Sequence, residues 1–365
     1  MNRLILILAA LLAAPAMADT TAIVGGKVVT VGPQGTIKNG TVLIVDGRIV
    51  AVGDDVEVPA GADVIDASGK VVTPGLFSPL SQLGLVEVSS SAGPTDGSQR
   101  GEHFTAGFDV ADAYNPRSTL IAINRIEGVT RTVSAPSPGY PDESGGGHII
   151  AGLAAVVNLG DSDAIDMRNA AVVVALGESG SYFTGGTRSA AWLTLRNALD
   201  EALDYRDHKA DFERGMRRTY VHSMADLEAL QGVINGNTPM IVSVNRASDI
   251  EVLMGFVDEY SVQAIIFGGA EAWMLADKLA AADIPVIVDP TANLPGSFDS
   301  INARLGAATV LANAGVKIAI GDGDTHNARN LTQAAGNAVA HGLDWDAALR
   351  AITLAPAEIF GMAST

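Results

Sequence analysis

The 365-residue chain contains no cysteine. That excludes disulfides and thiolate ligands, so any metal must be held by His, Asp, Glu or a modified Lys. Positive charge is scarce too. Lys and Arg number 23 against 41 Asp and Glu, and the net charge of −18 repels a phosphate backbone. No basic run offsets it, so nucleic acid is not an expected partner. Long apolar runs are missing beyond the first residues, which leaves no membrane span in the rest of the chain.

The one apolar run stands at the start, in "MNRLILILAALLAAPAMADTT". Arg3 supplies a positive n-region, Leu4 to Leu12 an apolar h-region, and Ala16-Met17-Ala18 a small-x-small cleavage signal. This reads as a secretory signal peptide over 1–18, too short to cross a bilayer as a helix. The expectation is export to the periplasm or beyond, with the mature chain starting near Asp19. Roughly 345 residues then remain, enough for one large domain or two unequal ones. Apolar content of 48% and charged content of 18% place the chain among globular proteins.

Residues 19–72 read as a small β-sandwich segment. "AIVGGKVVTV", "GTVLIVDGRIVAVG" and "ADVIDASGKVV" are β-branched runs broken by glycines. Asp46-Gly47, between "TVLIV" and "RIVAV", is a hairpin signal because both residue types tolerate positive φ. From 73 to 365 the texture becomes β/α. Trp192, Leu195, Leu199 and Leu203 share one face of a helix predicted over Ser189 to Arg217. Ser223 with Asp226 opens another, and Ser248 with Glu251 is a second capping box, for the helix of Ile250, Leu253, Met254 and Val257.

Strands at 128–136, 170–176, 240–244, 262–267, 284–288 and 316–320, together with one at Val71, alternate with amphipathic helices. Continuous apolar strands between such helices mean a parallel sheet covered by helices. About seven strands suit a TIM-like (β/α)8 barrel better than an open sheet.

A β-segment that leads through "VVTPGL" into such a barrel resembles the amidohydrolase superfamily. "RASDIEVLMGFVDEYSVQAIIFGGAEAWMLADKLAAADIPVIVDP" and "HGLDWDAALRAITLAPAEIFGMA" resemble the second half of the barrel in imidazolonepropionase-like members. The resemblance covers most of the chain from about Thr21 and is weaker between 85 and 185. It implies hydrolysis of C–N bonds in amides, cyclic imides or peptides, by water activated on one or two divalent metals at the C-terminal strand ends.

Carried over residue by residue, the resemblance places most of the family's histidine ligands on side chains that cannot replace them. The His-x-His after the first strand falls on Leu80 and Gln82. Histidines of later strands fall near Ser243 and Asn245, and near Gly268. The final catalytic aspartate falls on Asp324 or, in a shifted register, Asp322. Zinc or another divalent metal is then expected only with an alternative ligand set, for which the loop 89–118 with His103 is the candidate source.

Asn245, Arg246, Glu271, Asp322 and His326 are expected around Asp324 at the barrel mouth, where strand-end polar groups line a pocket for a small amide ligand. The alternative for Asp324 is that it caps the helix at Asn327, and Glu271 can equally cap its own helix. Relatives continue past "PAEIFG" with strands that complete the small sandwich, whereas this chain stops at Thr365. Either the sequence is truncated or the sheet edge awaits a partner chain. Two functions stay open: a hydrolase with Asp324 as acid or base, and a catalytically silent binding or partner subunit, in a homo-oligomer or docked on an amidohydrolase homologue.

Overall fold

The computed structural model describes residues 19–89, 91, 93, 95–99, 104–139, 148–160, 163–292 and 294–364. The signal-peptide reading and His103 fall outside these residues. Two compact units emerge, Met1–Pro74 and Gly75–Thr365.

The first unit is a five-stranded sheet of β1 (Thr20–Val29), β2 (Thr36–Val45), β3 (Arg48–Gly53), β4 (Asp63–Asp66) and β5 (Val71–Val72). β1 is central, antiparallel to β2 and parallel to β4 and β5. The hairpin forms where the sequence places it: Val45 faces Arg48, and Asp46 and Gly47 take φ of 49° and 76°. Those two positive angles are what a tight hairpin turn demands. One expectation shifts. Val71 belongs to this sheet, pairing with Lys27, and the barrel starts five residues later.

The second unit is an eight-stranded, nearly closed α/β barrel. Its strands are β6 (Leu76–Ser81), β7 (Val129–Ser134), β8 (Ile150–Asn158), β9 (Ile165–Ala175), β10 (Met240–Val244), β11 (Ala264–Gly268), β12 (Val286–Val288) and β13 (Ile318–Ile320), in that spatial order. β8 is a strand the β/α alternation does not reveal. It runs antiparallel to both neighbours, and the described parts of its connections carry no helix. An antiparallel strand can join its neighbours by hairpins, so it leaves no alternating signature.

β6 and β13 meet without a strand-to-strand hydrogen-bond ladder. Pro79 on β6 has no N–H to give, and it sits where a Cβ on Gly321 would come within 2.7 Å of its ring.

Two apolar clusters follow from strand alternation. Met240, Val242, Ile266, Val286 and Ile318 face the surrounding helices, where Leu195, Leu199, Leu253 and Phe256 are buried. Their neighbours Ile241, Ile265, Ile287 and Ala319 face the lumen with Phe77, Val133 and Val173. Phe360, after the helix Leu354–Ile359, joins this lumen cluster and stacks on Phe77 at 6.4 Å.

The long helix runs over Arg188–Glu213, burying Trp192, Leu195 and Leu199 as expected while Leu203 stays half-buried. Ser223 and Asp226 form their capping box. The expected box at Ser248 and Glu251 is not formed. That helix spans Ala247–Tyr260 with Arg246 at its N-cap and no side-chain cap from its own turn.

Candidate active-site pocket

Where the lumen cluster ends, the loops after the strands enclose a pocket of about 880 Å³. Its floor is apolar, made by Leu80, Ala135, Val173, Ile241 and Phe267. The helix Gly177–Tyr182, directly after β9, forms one wall with Glu178, Ser179, Ser181 and Tyr182. Ser297 and Asp299 contribute from the segment after β12, and Asp322 and Gly323 from the end of β13.

Five of the residues singled out from the sequence therefore share this pocket: Leu80, Gln82, Ser243, Asn245 and Asp322. Each comes from the C-terminal end of a strand, the end where barrels place ligands. Gln82 is also a fastener. Its Nε2 donates to the Gly97 carbonyl and to Ser137 Oγ, both at 3.1 Å, tying the loop after β6 to the loop after β7. Asn245 is fixed as well, with Oδ1 accepting from Ala270 N at 3.3 Å. Gly268 has φ of 90°, and a Cβ there would lie 2.6 Å from Asn245 Oδ1. No imidazole fits at Gly268 unless Asn245 moves.

Asp322 and Asp324 divide the work at the β13 end. Asp324 turns inward on its own loop: Oδ1 accepts from His326 N at 2.8 Å and Asn327 N at 3.2 Å, and Oδ2 from Asn327 Nδ2 at 3.0 Å. Burial raises its pKa, but these donors outweigh that and hold it below the usual value. This is the capping role, and Asp324 does not line the pocket.

Asp322 is the carboxylate that does. One oxygen accepts from Asp324 N at 2.9 Å, and among the described residues no other residue donates to this exposed carboxylate. Desolvation by the surrounding walls pushes its pKa up, and the charges of Asp289 and Asp324 push the same way. It also borders a smaller cavity of about 140 Å³ lined with Asn327, Asn330, Gln333 and Asn337.

The other expected site residues lie elsewhere. Glu271 is 3% exposed and acts as a staple. Its Oε2 accepts from Ala247 N at 2.9 Å, closing the start of the helix Ala247–Tyr260, and its Oε1 accepts from Asn302 N and Nδ2 at 3.2 and 2.9 Å. The negative charge also suits the helix N-terminus. Arg246 is exposed at that helix start, and His326 is half-buried behind Asp324.

Residues the sequence does not single out complete the rim. Asp299 is buried, accepts from Glu178 N at 2.7 Å and pairs with Arg188, whose Nε donates to Asp249 at 3.0 Å. The available signal is positional: "GESGSYF" follows a barrel strand directly, and such a segment belongs to the mouth. A second buried polar group lies apart from the pocket. His222 Nδ1 meets Glu201 Oε2 at 2.9 Å, and the His148 ring stands 5.8 Å from that of His222. Among the described residues no group of three or more His, Asp or Glu is placed to hold a metal.

No protein-family model matches the chain. Among curated proteins it is similar to the amidohydrolase tasK of Hapsidospora irregularis, 36% identical over 88 residues, and to the imidazolonepropionase of Geobacillus kaustophilus, 52% identical over 56 residues. These matches cover 22% and 13% of this chain, and span only 9% and 13% of the relatives' own length. Among solved structures, an amidohydrolase from Thermotoga maritima MSB8 superposes with a TM-score of 0.81 at 22% identity, over 94% of this chain and 89% of that one. A molinate hydrolase superposes at 0.53 and 17% identity, over 95% and 86%.

Proposed function

We propose that the chain is an imidazolonepropionase-like member of the amidohydrolase superfamily and that it hydrolyses C–N bonds of small amides or cyclic imides in the 880 Å³ pocket, without that family's metal set. The observation that carries the reading is the placement of Asp322, a pocket carboxylate to which, among the other described residues, only Asp324 donates, at a strand end of this fold.

The residues at the family's ligand positions do not fit a catalytic zinc. Leucine offers no lone pair, Gln82 is committed to two loops, and glycine at 268 has no side chain to offer. No step is therefore routed through a metal. Asp322 takes a proton from water as it adds to the carbonyl carbon, and returns it to the leaving nitrogen as the C–N bond breaks. A pKa raised by desolvation lets the group hold the proton more readily than a free carboxylate does. General acid–base help of this kind is worth about 10²–10⁴ in rate. Slow turnover of neutral amides, lost in Asp322→Asn, is the expected result. A purified protein whose turnover is unchanged by Asp322→Asn contradicts the assignment.

A second reading has its own support. The same commitments of Gln82 and Gly268 that exclude zinc suit a barrel that binds an amide ligand and leaves chemistry to a homologous partner subunit. Ligand binding with no turnover, restored only on mixing with a homologue, selects it.

Export belongs to the proposal as well, supported by the n-region, apolar run and cleavage pattern of residues 1–18. Intact-mass measurement of the protein from its host should give a chain starting at Asp19, and a chain still carrying Arg3 in the cytoplasm contradicts export.

A further inference from the structure

The lining of the pocket is lopsided in charge. Glu178, Asp299 and Asp322 contribute carboxylates, and no Lys, Arg or His lines it among the described residues. The one neighbouring cation, Arg188, is consumed by Asp249 and Asp299. That leaves Glu178 and Asp322 as lining carboxylates with no ion pair among the described residues, and Asp289 and Asp324 add to the negative field at Asp322. An anionic ligand has no partner here and would meet repulsion from these carboxylates.

The surface next to Asp322 is aromatic. Gly323 follows it, with φ of 73°, and a Cβ at Gly323 would lie 2.9 Å from Phe267 Cζ, so the Phe267 ring tip abuts the backbone beside the carboxylate. A carboxylate beside an aromatic side chain in an otherwise apolar pocket suits ammonium groups, chiefly by ion pairing, with the ring as apolar contact for the carbons next to the charge. Beyond that point the walls are apolar, and the apolar character continues over the rim. Tyr182 lines the pocket while 64% exposed, and Phe298, between the lining residues Ser297 and Asp299, is 83% exposed. A volume of about 880 Å³ is near the top of the usual range for small-molecule pockets.

We propose that the pocket selects organic cations: an apolar or aromatic amide bearing a protonated amine, with the ammonium seated between Asp322 and Phe267 and the apolar body running toward Tyr182 and the rim. The proposal rests on the reading of this pocket as the amide site and names the class of amide. Gly323 has a purpose in it, since any side chain there would displace Phe267 from the carboxylate.

The test uses three probes of one skeleton and different charge: 4-phenylbutylamine, 4-phenylbutanamide and 4-phenylbutyrate. Each is titrated calorimetrically into the full chain near neutral pH at physiological salt. The amine should bind about tenfold or more tightly than the neutral amide, a factor one partly desolvated ion pair readily supplies, and the acid should not bind measurably. Asp322→Asn should bring the amine down to the level of the amide, and urea unfolding at the parent midpoint shows that the variant is folded. Phe267→Leu should weaken the amine more than the amide. Equal binding of all three probes, tighter binding of the acid, a preference that survives Asp322→Asn, or no binding of any probe at millimolar concentration each overturns the proposal. The two failures are separable. Turnover of neutral amides with no preference for cations removes the selectivity and leaves the hydrolase, whereas cation-selective binding without turnover removes the hydrolase and leaves the selectivity.

Discussion

Replacing Glu271 by alanine tests whether that residue builds the pocket's frame or belongs to the pocket itself. Its carboxylate accepts three hydrogen bonds, from Ala247 N, Asn302 N and Asn302 Nδ2, in a site where only 3% of the residue is exposed. Truncation strands two backbone donors and one amide donor. Each stranded donor costs about 1–3 kcal/mol, the lower end applying where water enters the space left behind. The lost charge at the start of the helix Ala247–Tyr260 adds roughly 0.5 kcal/mol.

The sum is a loss of about 3–5 kcal/mol, a large share of the roughly 5–15 kcal/mol that holds a typical domain together. Glu271→Gln keeps the shape and one acceptor, and should lose about 1–2 kcal/mol. Urea unfolding followed by tryptophan fluorescence reads both variants. Trp273 is a local reporter, since its Nε1 donates to the Asn302 carbonyl at 2.9 Å. A Glu271→Ala protein within about 1 kcal/mol of the parent would refute the staple, because three part-buried donors lose their acceptor together.

Two further perturbations probe the pocket wall and the buried imidazoles. Gly177 has φ of 63°, and a Cβ there would sit 2.8 Å from Asp299 Oδ2, so Gly177→Ala should lower stability by about 1–3 kcal/mol and weaken ligand binding by displacing the wall helix. Unchanged urea unfolding and unchanged binding would show that the wall tolerates the shift. Burial, helped by the neighbouring His222 ring, pulls the His148 pKa down to about 4 from its ordinary 6.5. Below pH 6.5 the unfolded chain therefore takes up a proton that the folded chain refuses. Stability falls between pH 6.5 and about 4 by up to about 3 kcal/mol and is fully retained above that window. His148→Asn should flatten that part of the pH profile, and an NMR titration placing His148 near 6.5 would contradict the burial argument.

What could be read from the sequence was what local chemistry determines. Asp46-Gly47 declares its turn because both residues tolerate positive φ, and Ser223 with Asp226 declares a helix start three residues apart. The alternation of apolar strands and amphipathic helices gives the barrel; of the residues expected around its mouth, Asn245 and Asp322 line the pocket while Arg246, Glu271 and His326 do not. Asp324 as a cap was also open to sequence reasoning, since its donors are two and three residues away.

The rest depends on contacts far apart in the chain. Glu271 binds donors 24 and 31 residues distant, and Gln82 reaches Ser137 across 55. Neither spacing leaves a pattern. Ser248 and Glu251 match a capping box in type and interval, yet the helix begins two residues earlier and receives its cap from Glu271. β8 escaped because hairpin connections erase the β/α rhythm, and because Gly152 inside it looks like a break. That glycine is needed for packing: its φ is 132°, and a Cβ would lie 2.3 Å from the Phe108 carbonyl.

The proposal that this barrel works without the metal set of the amidohydrolases it resembles is tested most directly by metal analysis of the full chain, purified without chelators and supplied with zinc during expression. The expected result is fewer than about 0.1 divalent ions per chain after gel filtration, because Leu80, Gln82, Ser243, Asn245 and Gly268 cannot supply the three ligands a catalytic zinc requires. One or two tightly held ions per chain, lost together with amidase turnover on chelation, would contradict it.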